Sequence, residues 1–184
     1  ELAHDKWRID LHAHTPNHPL WITGDLSHLQ QAIENLVFNA RDAIFEMRKK
    51  IRDQAHREPV ADVKQQRQRL IQAAGWRGTI TLRLDHDETG IVLEVRDNGI
   101  GMDEQVRRQC VQPHFSTKRE NALFEGLNAG MGLGLSFVVV VLEHHHAQLE
   151  IESAPGQGAT FRVRFRQSAP ETPLSIISPT DLFR

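Results

Sequence analysis

The spacing of hydrophobic and polar positions changes several times along the chain, and each change predicts an element. Trp7-Arg8-Ile9-Asp10-Leu11-His12 alternates and predicts a strand. Pro16 and Pro19 mark a turn, and Trp21-Ile22-Thr23 is a short extended piece. Gly24-Asp25 opens a helix with Asp25 as its N-cap. Leu26, Leu29, Ile33, Leu36, Val37, Ala40 and Ile44 recur at helical spacing and form the buried stripe of that helix. From Glu46 to Gln72 the chain is rich in Arg, Lys and Gln and is interrupted by Pro59, which predicts a charged helical excursion. An alternating pattern returns at Gly78 to Leu84 and at Ile91 to Arg96, with Asp87-Glu88-Thr89-Gly90 as the hairpin turn between them. A short helix is expected over Asp103 to Cys110, then an irregular stretch from Val111 to Met131, then an apolar helix opening at Gly132-Leu133-Gly134-Leu135 and ending near His146. Gln148 to Glu152 and Thr160 to Phe165 read as the last strands, joined by the turn Ser153 to Gly158, and a Pro/Ser-rich tail follows from Ser168. Strands outnumber the major helices and the hairpins are antiparallel. The fold class expected is α+β, a two-layer sandwich with helices on one face of the sheet.

Composition narrows the function classes. The chain of 184 residues fits one domain with an insertion or tail, and its 39% hydrophobic content is enough for a core. A formal charge of −2, from 22 basic and 24 acidic side chains, gives no argument for a nucleic-acid partner. The single Cys110 allows no internal disulfide and fits a reducing compartment. No apolar run approaches the roughly 20 residues that span a bilayer. The start at Glu1, without Met or a signal pattern, suggests an excised fragment.

Three clusters carry candidate chemistry, and each has a bland reading beside the functional one. Asn35 and Asn39, four apart, share one face of the first long helix at the rim of its apolar stripe. Two amide oxygens aimed one way suit a hard cation that also grips phosphate oxygens, as Mg²⁺ does in nucleotide sites; alone they are equally a pair of surface amides. Asp97-Asn98-Gly99-Ile100-Gly101-Met102 follows a strand, where a carboxylate can accept a hydrogen bond from an exocyclic amine; alone it is also an ordinary turn. Gly130-Met131-Gly132-Leu133-Gly134-Leu135-Ser136 leads into an apolar helix. It can present backbone N–H groups and a helix dipole to an anion, or it can be a flexible hinge.

Their order, together with Pro113-His114-Phe115-Ser116-Thr117-Lys118, resembles the ATP-binding catalytic domain of two-component sensor histidine kinases, within the superfamily shared with gyrase, Hsp90 and MutL. Glu34 to Ala40 is similar to the family's asparagine box, Asp97 to Gly101 to its first glycine box, Pro113 to Lys118 to its phenylalanine box and Gly130 to Leu135 to its second glycine box. Gly156-Gln157-Gly158-Ala159-Thr160-Phe161 resembles the closing element, so the likeness runs from about Trp7 to Arg166. It implies a Bergerat fold, a mixed and mostly antiparallel sheet with a mobile ATP lid. The domain would cover residues 1–167, with a charged helical insertion at 46–77, the lid at 111–131 and a flexible tail at 168–184.

By this resemblance Asn39 coordinates Mg²⁺ on the ATP phosphates with support from Asn35, and Asp97 holds the adenine amino group. Gly99 and Gly101 shape the adenine pocket. Gly130, Gly132, Leu133 and Gly134 flank the phosphates, Phe115 anchors the lid, and Lys118 reaches toward the γ-phosphate. Ile100, Met102 and Leu135 line the adenine, a place for which core packing is an equal account of each. The cofactors implied are ATP and Mg²⁺. The partners implied are a helical dimerisation and phosphoacceptor domain of the same kinase, which would be a homodimer, and a response regulator. The domain is expected in the cytoplasm without direct membrane contact, whether or not its parent is membrane-anchored.

The chain departs from the family's pattern at several positions. Asn35 stands where gyrase-like ATPases carry a water-activating Glu, which favours phosphoryl transfer to histidine over hydrolysis; Glu34 lies about 100° away around the helix. Asp42 stands where many of these kinases place a basic residue, with Arg41 beside it. Ala159 stands where the closing element often has Thr or Ser, and Thr160 should point to the other face of its strand. These departures keep two rivals open: an ATPase or anti-sigma-type serine kinase of the same superfamily, and a degenerate nucleotide-sensing scaffold. His144-His145-His146 reads as a polar helix end where partly protonated imidazoles suit the dipole, ahead of a metal role.

Overall fold

The computed structural model describes residues 7–57, 62–115 and 133–166. In chain order the elements are β1 (Ile9–His14), α1 (Leu26–Arg57), α2 (Val63–Gly75), β2 (Gly78–Asp87), β3 (Gly90–Asp97), α3 (Glu104–Gln109), α4 (Gly134–His144), β4 (Gln148–Ser153) and β5 (Ala159–Phe165).

The strands form one sheet in the order β1-β2-β3-β5-β4. β1 pairs with β2 in parallel, and the other three pairings are antiparallel. A parallel pair needs a long crossover, and α1 with α2 supplies it. β2 and β3 close the hairpin over Asp87 and Gly90, where Thr89 N–H donates to the Asp87 carboxylate.

Alternation sorts the sheet into two faces. In β3 and β5 the residues Ile91, Leu93, Val95, Phe161, Val163 and Phe165 are buried. Register places Leu82 beside Val95 and Val95 beside Phe161, so these side chains share one face. α1 and α4 pack on that face: Leu36, Ile44, Val95, Val138 and Val163 are the largest side chains fully enclosed between the layers. The other face is polar and is tied across strands by arginines. Arg162 on β5 bridges Glu94 on β3 and Glu152 on β4, and Arg164 holds Asp87.

α1 continues well beyond the apolar stripe that announces it. After Ile44 it runs on to Arg57, and α2 folds back against it, capped by Asp62, whose carboxylate accepts from the Gln65 N–H at 2.7 Å. Gln66 donates to the Ala55 carbonyl, and Leu70 is half-buried, but no α2 residue is fully enclosed. This hairpin is the charged excursion expected from Glu46 onward. Arg48 fastens it to the residues just before β1 by donating to the carbonyls of Trp7 and Arg8.

Candidate functional site

A cavity of about 580 Å³ opens between α1, the loop after β3, α3 and the start of α4. Asn35, Asn39, Asp97, Gly101, Met102, Phe115, Gly134 and Leu135 all line it, so residues from four separate stretches of chain meet in one space. Lys118, Gly130 and Gly132 lie outside the described residues.

One wall is a polar stripe on α1. Asn35, Asn39, Asp42, Glu46 and Lys50 recur every three or four residues and therefore share a helix face. Leu36, Ala40 and Ile44 pack that helix on the sheet, which holds the stripe in place. Asn35 turns its amide oxygen to the first residue of α4: a Cβ on Gly134 would stand 3.3 Å from Asn35 Oδ1. Glu34 is exposed, accepts from Gln30 Nε2 and is absent from the lining, so the neighbouring carboxylate does not replace Asn35. Asp42 is buried and accepts from both Nε and Nη2 of Arg41. The guanidinium of Arg41 in turn lies 5.0 Å from the ring centre of Phe38, with Trp7 and Phe45 within 6 Å.

Asp97 ends β3 at the floor of the cavity. Its carboxylate accepts from the Gly99 N–H at 2.7 Å. Only 4% of the residue is exposed, and this burial pushes its pKa up to about 6 against the opposing pull of the Gly99 and Ala159 amides. The loop that follows is docked on three sides. Asn98 Oδ1 accepts from the Thr79 N–H on β2, the Ile100 N–H donates to the Ala43 carbonyl of α1, and the Gly156 N–H donates to the Ile100 carbonyl. Ser153 Oγ joins the last two segments by accepting from Met102 N–H and donating to the Gly158 carbonyl. Gly99 does not line the cavity but stands behind it, because a Cβ there would fall 2.6 Å from the Ala43 carbonyl carbon. Gly101 has φ +67°, and a Cβ would meet the Ala154 carbonyl oxygen, so this turn requires glycine.

Neither Thr160 nor Leu133 is among the residues that line the cavity. Thr160 belongs to the other face of β5, where it pairs with Arg96 and Glu152, and Ala159 with Phe161 provides the wall in its place. Leu133 is the N-cap residue of α4, is 38% exposed and lies off the cavity. Sequence reasoning missed Phe38, Ala43, Glu46, Lys50, Val106 and Cys110. The α1 members could have been found by extending the Asn35–Asn39 spacing along the helix; Val106 and Cys110 carry no such signal.

Chemically, the space offers a carboxylate among apolar side chains at one end and amide oxygens beside a helix N-terminus at the other. Among the described residues no group of three or more His, Cys, Asp or Glu side chains could hold a metal. The donors therefore fit a cation held partly by ligand phosphates and water, and not one caged by protein. Among the described residues no helix is long and apolar enough to cross a membrane.

The family model described as histidine kinase-, DNA gyrase B- and HSP90-like ATPase matches residues 24–169. The phosphate regulon sensor protein PhoR of Pseudomonas aeruginosa is 40% identical over 88 residues, covering 48% of this chain and 19% of that protein. The sensor kinase CckA of Brucella abortus is 29% identical over 145 residues, covering 78% of this chain and 13% of that protein. The chain thus spans about a fifth or less of the length of these relatives. Among solved structures, the catalytic domain of histidine kinase ThkA superposes with a TM-score of 0.60 at 21% identity, covering 90% of this chain and 84% of that one. The mycobacterial sensor histidine kinase MprB follows with a TM-score of 0.57 at 19% identity, over 91% of this chain and 89% of that one. Ordered motifs, the two-layer sandwich and the family match agree: the chain belongs to the histidine kinase-, DNA gyrase B- and HSP90-like ATPases.

Proposed function

We propose that this domain binds Mg·ATP in the 580 Å³ cavity and donates the γ-phosphoryl group to a histidine on a dimerisation and phosphoacceptor domain, in a two-component relay that ends on a response regulator. The observation that carries the reading is the convergence of Asp97, the Asn35–Asn39 face and the start of α4 on that one cavity.

Each group has a distinct task. Asp97 accepts a hydrogen bond from the adenine amino group. Asn39, supported by Asn35, offers an amide oxygen to Mg²⁺, and the ion when bound neutralises phosphate charge. The N-terminus of α4, with its helix dipole, faces the phosphates. In the transfer the bond between the γ-phosphorus and the β–γ bridging oxygen breaks while a bond from phosphorus to an imidazole nitrogen forms. Because little covalent chemistry falls to the protein, these residues act by orientation and charge neutralisation. An amide at position 35 supplies no general base for water, which supports phosphoryl transfer over steady hydrolysis.

Calorimetry tests the binding half. The folded chain is expected to bind ADP and ATP with Mg²⁺ yet barely turn ATP over, and no binding by well-folded protein overturns the reading. Asp97→Asn is expected to weaken adenine nucleotides far more than inorganic tripolyphosphate. Asn39→Ala is expected to abolish the Mg²⁺ dependence of binding, and unchanged dependence removes Asn39 from its role.

A further inference from the structure

The histidine run at the end of α4 has no part in the cavity, yet its middle member is built into the helix pair that forms the cavity. His145 Nδ1 lies 2.7 Å from the Val141 carbonyl oxygen, which can only accept, so the ring proton sits on Nδ1. Nε2 lies 2.9 Å from the Asp25 backbone nitrogen, whose N–H can only donate, so Nε2 must present a lone pair. Only the neutral ring satisfies both bonds. The imidazole also rests directly on Gly24, where a Cβ would fall 2.4 Å from its Cδ2.

α1 and α4 run antiparallel. This histidine joins the start of α1 to the end of α4, while Asn35 meets Gly134 at the cavity. The two contacts are separated by about 15 Å along α1 and about 16 Å along α4. Ala32 and Leu36 of α1 and Val138, Val141 and Leu142 of α4 belong to the one apolar core. Apolar packing is non-directional and tolerates a small slide; a two-ended hydrogen bond at the helix end does not.

We propose that His145, neutral and protonated on Nδ1, is a positioning residue of the nucleotide site: it sets the axial register of α4 on α1 and so the apposition of Gly134 and Asn35. The proposal rests on the nucleotide-binding reading for its consequence, though not for the register itself. The Asp25 carboxylate is committed first to the His28 amide, which it caps at 2.9 Å.

The test uses the 184-residue chain, its His145→Ala and His145→Gln variants, ring ¹⁵N NMR and Mg·ADP calorimetry at about pH 8. The expected result is a neutral ring with its proton on Nδ1. His145→Ala should shift the Gly134 amide and Asn35 side-chain signals and weaken Mg·ADP about two- to tenfold with the fold retained. His145→Gln, whose amide can both donate and accept, should recover most of that affinity. An Nε2–H ring, or a His145→Ala protein whose Gly134 and Asn35 signals do not move, overturns the proposal. If those signals move but no variant nor the parent chain binds Mg·ADP, the register stands and the nucleotide reading fails. If His145→Ala does not fold, the ring tautomer and the Mg·ADP affinity of His145→Gln decide.

Discussion

Burial holds the Asp97 carboxyl at about 6, so it changes charge close to neutrality, at the floor of the cavity proposed for the nucleotide. Desolvation is the first cause, and the Gly99 and Ala159 amides pull the other way without cancelling it. The folded value is raised above the ordinary 3.8. Its contribution to stability is therefore fully present below about pH 4 and lost as pH rises through about 6. An ionised, buried carboxylate then weighs on the fold where the site must work, by at most about 3 kcal/mol. Asp97→Asn should accordingly unfold at higher denaturant than the parent chain at pH 8, by about 1–3 kcal/mol, with the advantage gone near pH 4. Equal stability of the two proteins at pH 8 removes the assigned burial cost. Adenine nucleotide affinity should move the opposite way and rise with pH through about 6, because the carboxylate has to be an acceptor. At this scale Asn35, Asn39 and Asp97 were ordinary residues taken singly and became readable only through the order of the motifs. Direction was legible where strand alternation fixes it: Ala159 and Thr160 are neighbours, and the pleat of β5 turns Ala159 to the cavity and Thr160 away.

At the scale of elements, the site is a helix face against a loop, and the tightness of that joint is what glycine provides. The Ile100 N–H reaches the Ala43 carbonyl at 3.0 Å only because Gly99 brings backbone against backbone. Gly99→Ala should force the loop off α1, costing about 1–3 kcal/mol as overpacking does. Nucleotide binding should fall by more than the loss of stability explains, since Ile100, Gly101 and Met102 would move with the loop. A protein that tolerates the methyl with unchanged melting and binding shows that the contact is slack. Deep in the same joint, Leu36→Ala should cost about 2–5 kcal/mol, read from the denaturation midpoint, because it empties a site shared by α1, the sheet and α4. The first helix was legible from its apolar spacing up to Ile44. Its continuation to Arg57 was foreshadowed only by charge, because beyond the sheet α1 has just α2 to pack on. Hence Glu46 and Lys50 were missed as cavity residues: they belong to a run that reads as solvated, although they lie on the same helix face as Asn35 and Asn39. The histidine run shows the same limit in reverse. Its position at a helix end suggested partly protonated rings favoured by the dipole, whereas the two partners of His145 together demand a neutral one, and the deciding partner, the Asp25 N–H, lies 120 residues away in the chain.

Across the whole molecule the two faces of the sheet are held by different physics, and each responds to different substitutions. The helix face is apolar, and its strand pairs were predictable where they are hairpins. The parallel pairing of β1 with β2 was not, because local patterning carries no information about which strand closes a long crossover. The polar face depends on a few arginines that cross strands. Arg162 reaches Glu94 and Glu152 at 2.7 and 2.6 Å, and the Glu94 side chain is only 23% exposed. By contrast Arg83 and Asp85 on one strand are 60% and 48% exposed. An exposed pair of that kind contributes about 0–1 kcal/mol and is screened by salt, whereas removing one partner of a partly buried pair leaves a carboxylate that water reaches poorly. Arg162→Ala should therefore cost about 1–3 kcal/mol, a loss reduced in the double variant Arg162→Ala/Glu94→Gln, while Arg83→Ala should change stability by less than about 0.5 kcal/mol. Chemical denaturation of the three proteins at low and high salt separates the cases. If Arg83→Ala costs as much as Arg162→Ala, then net charge over the face, and not the bridging of β3, β5 and β4 through Arg162, is what that surface contributes.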